Sequence, residues 1–268
     1  MQERAATEQS RSRAYYPGRI CQNFFISMTR DARDRFASPT PLMNRLTTAV
    51  KIAGVVLLIY LAHLTFLALS LPKEVFDALF AETGPYEGMS IILWVTLGGL
   101  LLLSLPLQPR SVLAMAVLSF VFAAREADLN KRFTVMSLTK IKFYLSPDVP
   151  VLQKIIGGIV FIAVTIALIY LAKRLYNYLV HEGGLRSPLG QLLILPAVLL
   201  PLSKILDRIA SQIYEIFGVR LPGMMSQLIA AYEEGLEMAL PALFIVALLL
   251  LRIRRSEIEA KKKPAPAE

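Results

Sequence analysis

Hydrophobic positions along this chain gather into long runs instead of alternating with polar ones. Residues 52–71, 89–107 and 155–172 each come close to or reach the ~20 apolar residues that a helix rising 1.5 Å per residue needs to cross a ~30 Å hydrocarbon core. Charges or turn residues bound them, among them Pro72 and the Gln108-Pro109-Arg110 triplet. Three further runs are shorter or interrupted: 112–124, 189–206 (broken by Pro196, Pro201 and Lys204) and 238–251. The pattern predicts an all-α, polytopic membrane protein. Six transmembrane helices are expected, at about 52–71, 89–107, 111–128, 155–172, 189–206 and 233–251, within a bundle covering 47–255. A re-entrant third segment would leave five.

Two stretches outside the runs carry a helical stripe. Val135, Leu138, Ile141 and Leu145 recur at helical spacing, with Lys140 and Lys142 placed to reach headgroups, which predicts an interfacial helix ending at Ser146-Pro147-Asp148-Val149-Pro150. In 204–217, Ile205, Ile209, Ile213 and Ile216 form a second stripe, with Lys204, Arg208 and Glu215 off it, so one or two interfacial amphipathic helices are expected. Residues 1–46 hold eight arginines, no lysine and four acids, and residues 256–268 are a basic tail. The first stretch reads as a cytosolic disordered arm with no apolar core of a secretory signal. Met28 offers a second start, so 1–27 are read as an optional extension.

Composition sharpens this picture. The 268 residues are 55% hydrophobic and 18% charged, which excludes a soluble enzyme. With Cys21, His63 and His181 as the whole Cys/His complement, neither a disulfide scaffold nor a Cys/His zinc site is available. No cofactor is expected. Of 29 basic residues, 19 fall on one side of a six-span chain with both termini together. Lys and Arg are retained on the cytosolic face, so the reading is a bacterial-type plasma membrane protein with cytoplasmic termini. The formal charge of +9 calls for no nucleic acid. The expected partners are membrane lipids and other membrane proteins.

Candidate chemistry comes from a shortfall in length. The third and sixth runs give only about 20 Å each, against the ~30 Å required. The third lengthens through Arg125, Glu126 and Asp128, the sixth backwards through Glu237, Glu234 and Glu233, and both additions fall on the same side, where Asp207 and Arg208 follow the fifth run. Ionisable groups at membrane depth cost about 2.5–3.5 kcal/mol each, so they face the bundle interior and pair. A continued third helix would place Arg125, Asp128 and Arg132 on one face. Glu233, Glu234 and Glu237 lie within about 100° of arc and need a cation, with Arg125, Lys131, Arg132 and Arg208 as candidates, or a divalent ion or shared proton. His63, inside the first span, is either a proton relay or a neutral hydrogen-bonding residue. Gly98-Gly99 and Gly157-Gly158 are read as close helix contacts. His181-Glu182-Gly183-Gly184 resembles half of a zinc-protease motif and lacks the second histidine.

Three functions of different classes follow. The first is a non-enzymatic membrane component that binds partner proteins or lipids through its charged rim, since no catalytic constellation is present. The second is a small transporter or ion-coupled carrier using Glu126, Asp128, Glu233, Glu234 and Glu237 as a polar pocket. The third is a lipid-modifying enzyme in which the same carboxylates hold Mg²⁺ or act as acid and base.

Overall fold

The computed structural model describes residues 41–81, 84–104, 109–129, 134 and 141–262, and no strand occurs among them. Residues 1–40 of the arm, Asn130, Lys131, Arg132 and the stripe positions Val135, Leu138 and Lys140 lie outside the described residues, whereas residues 41–46, expected within the disordered arm, form the first turns of α1, where Pro41 opens the helix. In chain order the helices are α1 (Pro41–Ser70), α2 (Lys73–Leu79), α3 (Pro85–Leu102), α4 (Pro109–Glu126), α5 (Ile141–Leu145), α6 (Val151–Tyr176), α7 (Pro188–Phe217) and α8 (Gly223–Lys262). A π-helical turn at Asn177–His181 and a 3-10 turn at Gly184–Arg186 join α6 to α7.

Proline and glycine set most of these boundaries. Pro72 and Pro150 stand at the N-caps of α2 and α6, and Pro188 opens α7 behind its N-cap Ser187, positions where the N–H that proline lacks would have no partner within the helix. Ser187 caps α7 by accepting the Gly190 N–H at 3.1 Å, and Gly218 closes it at φ 66°, a left-handed geometry that costs glycine little. Pro196 and Pro201 lie inside α7 without ending it. Pro196 is fully buried, so packing holds the helix through a position that local propensity would break. The segment 204–217, expected as a separate interfacial helix, is therefore the second half of α7.

Contacts between helices fix their directions. Arg45, at the start of α1, lies 3.9 Å from Glu257 near the end of α8, so the chain enters and leaves the bundle at one end, called here the near end. Arg252 of α8 donates from Nη2 to the Leu100 carbonyl at 2.8 Å and from Nε to Ser104 Oγ at 3.1 Å, placing the end of α3 there too. Ser111 at the start of α4 bonds Tyr170 late in α6 at 2.9 Å, and Leu189 of α7 lies with Leu46 and Leu250. The six long helices α1, α3, α4, α6, α7 and α8 thus alternate in direction. Five of them are long and apolar enough to cross a membrane. The exception is α4, whose 18 residues include Arg110, Arg125 and Glu126.

Two apolar cores stack along the bundle. Trp94, Leu97, Leu101, Ala116, Leu192, Leu236 and Leu240 belong to the larger, where Trp94 stacks on Phe122 with ring centroids 4.8 Å apart. The smaller, toward the far end, joins Leu64 and Ala68 of α1 to Phe76, Phe80 and Ala231. Gly235 lets α1 approach α8 there, since a Cβ at that position would overlap the buried Leu64 side chain, in accord with small residues at membrane helix contacts. Gly98 does the same under the Phe120 ring, while Gly99 has open space around it. α6 stands at the edge of the bundle, with Gly157 its one buried residue.

Candidate functional site

The last turn of α4, the middle of α7 and the first half of α8 meet at Glu237. Its Oε1 accepts from Arg125 Nη2 at 3.5 Å and, in closer contact, from Lys204 Nζ. Arg125 Nη1 also lies 3.7 Å from Glu126 Oε1. Glu126 and Glu237 are buried, at 8% and 7% exposure, whereas the side chains of Arg125 and Lys204 remain 46% and 36% exposed. One buried carboxylate therefore ties three helices together with two cations. Charge-assisted bonds of this kind are about twice as strong as neutral ones, and burial raises the penalty for leaving either side alone.

Further acids surround this core. Glu126 faces Glu237, Glu233 faces Asp207, Glu237 and Lys204, and Glu234 faces Glu237, Glu233, Glu126 and Glu87. Among the described residues, six carboxylates thus gather around the cations Arg125 and Lys204. Ser90 lies on the buried face of α3, one turn from Trp94 toward this cluster. It is 1% exposed and its Oγ has no hydrogen-bond partner. Among the described residues no group of three or more His, Cys, Asp or Glu side chains is arranged to hold a metal ion, so a Mg²⁺-binding role for these carboxylates gains no geometry.

The height of the cluster follows from its neighbours. Tyr60 donates to the Gly235 carbonyl at 3.0 Å, and the hydroxyls of Thr65 and Tyr232 are 2.7 Å apart. Glu234 and Glu237 therefore lie beside the middle of the apolar stretch of α1. Exposed Val55 and Val56 precede that level and exposed Phe66 and Leu69 follow it. On α8, Glu237 is fifteen residues from Arg252, or about 22 Å, less than the ~30 Å of the hydrocarbon core. Apolar surface flanks the charges on both sides along α1.

The sequence expectations fare unevenly here. Arg125, Glu126, Glu233, Glu234, Glu237 and Asp207 are brought together. Asp128 is not on the face of Arg125: α4 ends at Glu126, and Asp128 takes φ 50°, with its N–H bonded to the Arg125 carbonyl at 3.0 Å. Aspartate tolerates the left-handed region better than most residues, and the continued third helix is replaced by a turn. Of the candidate cations Arg125 does meet Glu237, whereas Arg208 is exposed on α7 and the cation that α7 brings to Glu237 is Lys204, one turn earlier. In the sequence Lys204 stands as a break in an apolar run and as a residue off the isoleucine stripe of 204–217, not as a partner of Glu237. As the one cation between Pro188 and Leu206, it was the residue most in need of a buried acid. His63 is exposed on α1, while its neighbour Leu64 turns inward, so it takes no part in the cluster. The His181-Glu182-Gly183-Gly184 stretch forms the hinge into α7, with Gly183 at φ 71°. Burial there pushes the Glu182 carboxyl above its ordinary range, against the pull of Arg174.

Beyond the cluster α7 and α8 continue together as a hairpin. Ile205, Ile216, Phe217, Val219, Met224 and Met225 on it are exposed, as are Asp207, Arg208 and Glu215. No family model matches this chain, and no curated protein or solved structure proves similar to it.

Proposed function

We propose that this multi-pass membrane protein is a non-enzymatic component that binds a partner membrane protein, with α4 as a sixth span and the termini cytoplasmic in a bacterial-type plasma membrane. The observation that carries the reading is the α7–α8 hairpin. Its apolar residues, two methionines among them, are exposed beside a cluster that, among the described residues, holds more carboxylates than cations. Methionine and aromatic side chains are enriched at protein interfaces, and exposed apolar patches mark contact sites. The partner that suits this surface presents an apolar helix face with one or more lysines or arginines, because added positive charge relieves the crowding of Glu233, Glu234 and Asp207.

The test is a photo-crosslinking amino acid placed at Ile216 in native membranes, with Ile159 on the lipid-facing side of α6 as the control position. A discrete adduct is expected at Ile216 and none at Ile159. Reversing charge with Glu233→Lys and Glu234→Lys is expected to reduce the adduct about tenfold, given coupling energies of about 1.5 kcal/mol or more for close interfacial charge pairs. Equal, diffuse labelling at both positions refutes the reading. Transport is the second reading, favoured by the burial of Glu126 and Glu237 and by the unpartnered Ser90 hydroxyl. Under that reading, Glu126→Gln abolishes flux while expression stays intact.

A further inference from the structure

Ser90 of α3 differs from four other helical hydroxyls of the bundle. Thr65, Ser104, Ser119 and Thr165 each donate to the carbonyl four residues earlier in their own helix, the usual local partner of such a group. Ser90 does not: it is 1% exposed and its Oγ is without a hydrogen-bond partner. Its direction follows from the residues one turn to either side. Trp94 lies against Phe122 of α4 and Phe244 of α8, and Glu87 faces Glu234 of α8. Residues 87, 90 and 94 share one helix face, so Ser90 is turned into the wedge between α4 and α8. Toward the far end that wedge holds Glu126, one turn past Phe122, and Glu237, two turns before Phe244. The charges that act most on Glu234 are all carboxylates, namely Glu237, Glu233, Glu126 and Glu87. We infer that the wedge between α3, α4 and α8 binds a primary ammonium group, with Ser90 Oγ, Glu126 and Glu234 as its three acceptors.

The chemistry of the acceptors selects this ligand. An ammonium head carries three N–H donors around a compact charge, which matches one hydroxyl and two carboxylates. The bundle already seats such a head beside the wedge, since Lys204 Nζ donates to Glu237. A metal ion asks for more: among the described residues no group of three or more His, Cys, Asp or Glu side chains is arranged to hold one. A guanidinium is a planar fork that pairs with one carboxylate edge, and it leaves the hydroxyl unused. The way in is from the far end, where Glu87 lies in the first turn of α3 and both Glu87 and Glu234 are partly exposed. A dissolved alkylamine and a lysine of a partner protein present the same head, so the site does not depend on the hairpin contact proposed above.

Trp94 is the one tryptophan of the chain and stands one turn from Ser90, so its fluorescence reads the site. The full chain in nanodiscs is titrated with n-butylammonium chloride and, at equal ionic strength, with tetramethylammonium chloride, which has the charge but no N–H donor. A saturable change is expected with butylammonium alone. Ser90→Ala should weaken that binding about tenfold, the effect of one hydrogen bond to a charged group, and Glu234→Gln at least as much. Thr165→Ala on α6 should leave it unchanged. Because the hydroxyl removed has no partner in the chain itself, Ser90→Ala should also raise the melting temperature without amine and lose the further rise that amine gives the parent. If butylammonium has no effect while Ser90→Ala cuts the Ile216 adduct about tenfold, the head is the partner's lysine. Equal responses to the two salts overturn the inference, as does an unchanged dissociation constant in Ser90→Ala. A lower melting temperature for Ser90→Ala overturns it too, since the hydroxyl would then serve the fold. An Ile216 adduct that survives Ser90→Ala, together with no response to butylammonium, sinks the ammonium site and leaves the partner reading standing.

Discussion

Glu237→Leu is expected to destabilise the folded bundle by about 3 kcal/mol, toward the lower end of what removing one partner of a buried ion pair costs. The substitution leaves Lys204 on α7 and Arg125 on α4 facing each other without the carboxylate that joins them. Both cations are partly exposed, which lets them reorient and keeps the loss from reaching the top of the range. Glu237→Gln keeps an acceptor oxygen of the same shape and should lose about half as much. The measurement is unfolding in mixed micelles followed by helical circular dichroism. Adding Lys204→Met to Glu237→Leu should restore part of the loss, since an apolar pair is cheaper there than a lone charge. A Glu237→Leu protein as stable as its parent would mean that water screens the cluster fully and that it holds no helices together.

The second large effect belongs to the entry into α7. Gly190→Ala is expected to cost about 3 kcal/mol, the upper part of the usual range for overpacking. A Cβ at Gly190 would overlap the Gly184 carbonyl, whose carbon lies 2.6 Å away, and would crowd Ser187 Oγ at 3.1 Å. The obstacle is backbone, so no rotamer change relieves it. Ser187 is held as well by Tyr178, whose hydroxyl lies 2.7 Å from its Oγ, so displacing the turn also loosens the cap of α7. Gly99→Ala is the matched control, because open space surrounds that position. Thermal unfolding should separate the two variants clearly, and equal melting temperatures would contradict the packing described for the α6–α7 hinge.

Much of this architecture was legible in the sequence, because a membrane span is written as uninterrupted hydrophobic length. The 52–71 and 155–172 runs announce α1 and α6 without help from tertiary contacts. The acids of α8 were legible as well, since a 14-residue apolar run cannot span the core without borrowing Glu237 and its neighbours. What stayed hidden depends on packing between distant segments. Pro196 and Pro201 argue locally for a break, yet the bundle carries α7 past both. Asp128 looked like a helical residue until its left-handed turn ended α4. Lys204 read as an interruption, because nothing near it in sequence reveals that Glu237, 33 residues later, is its counter-charge.

Six long helices alternate in direction and hold the acid cluster between the α7–α8 hairpin at one end and a basic end at the other. Single cysteines introduced at Glu215, Glu234 and Arg255, in a Cys21→Ser background, test this directly with an impermeant maleimide applied before and after permeabilisation. Glu215→Cys and Arg255→Cys are predicted to label quickly from opposite faces, and Glu234→Cys to resist labelling from both. Labelling of the first two from the same face, or of Glu234→Cys as fast as Glu215→Cys, would contradict it.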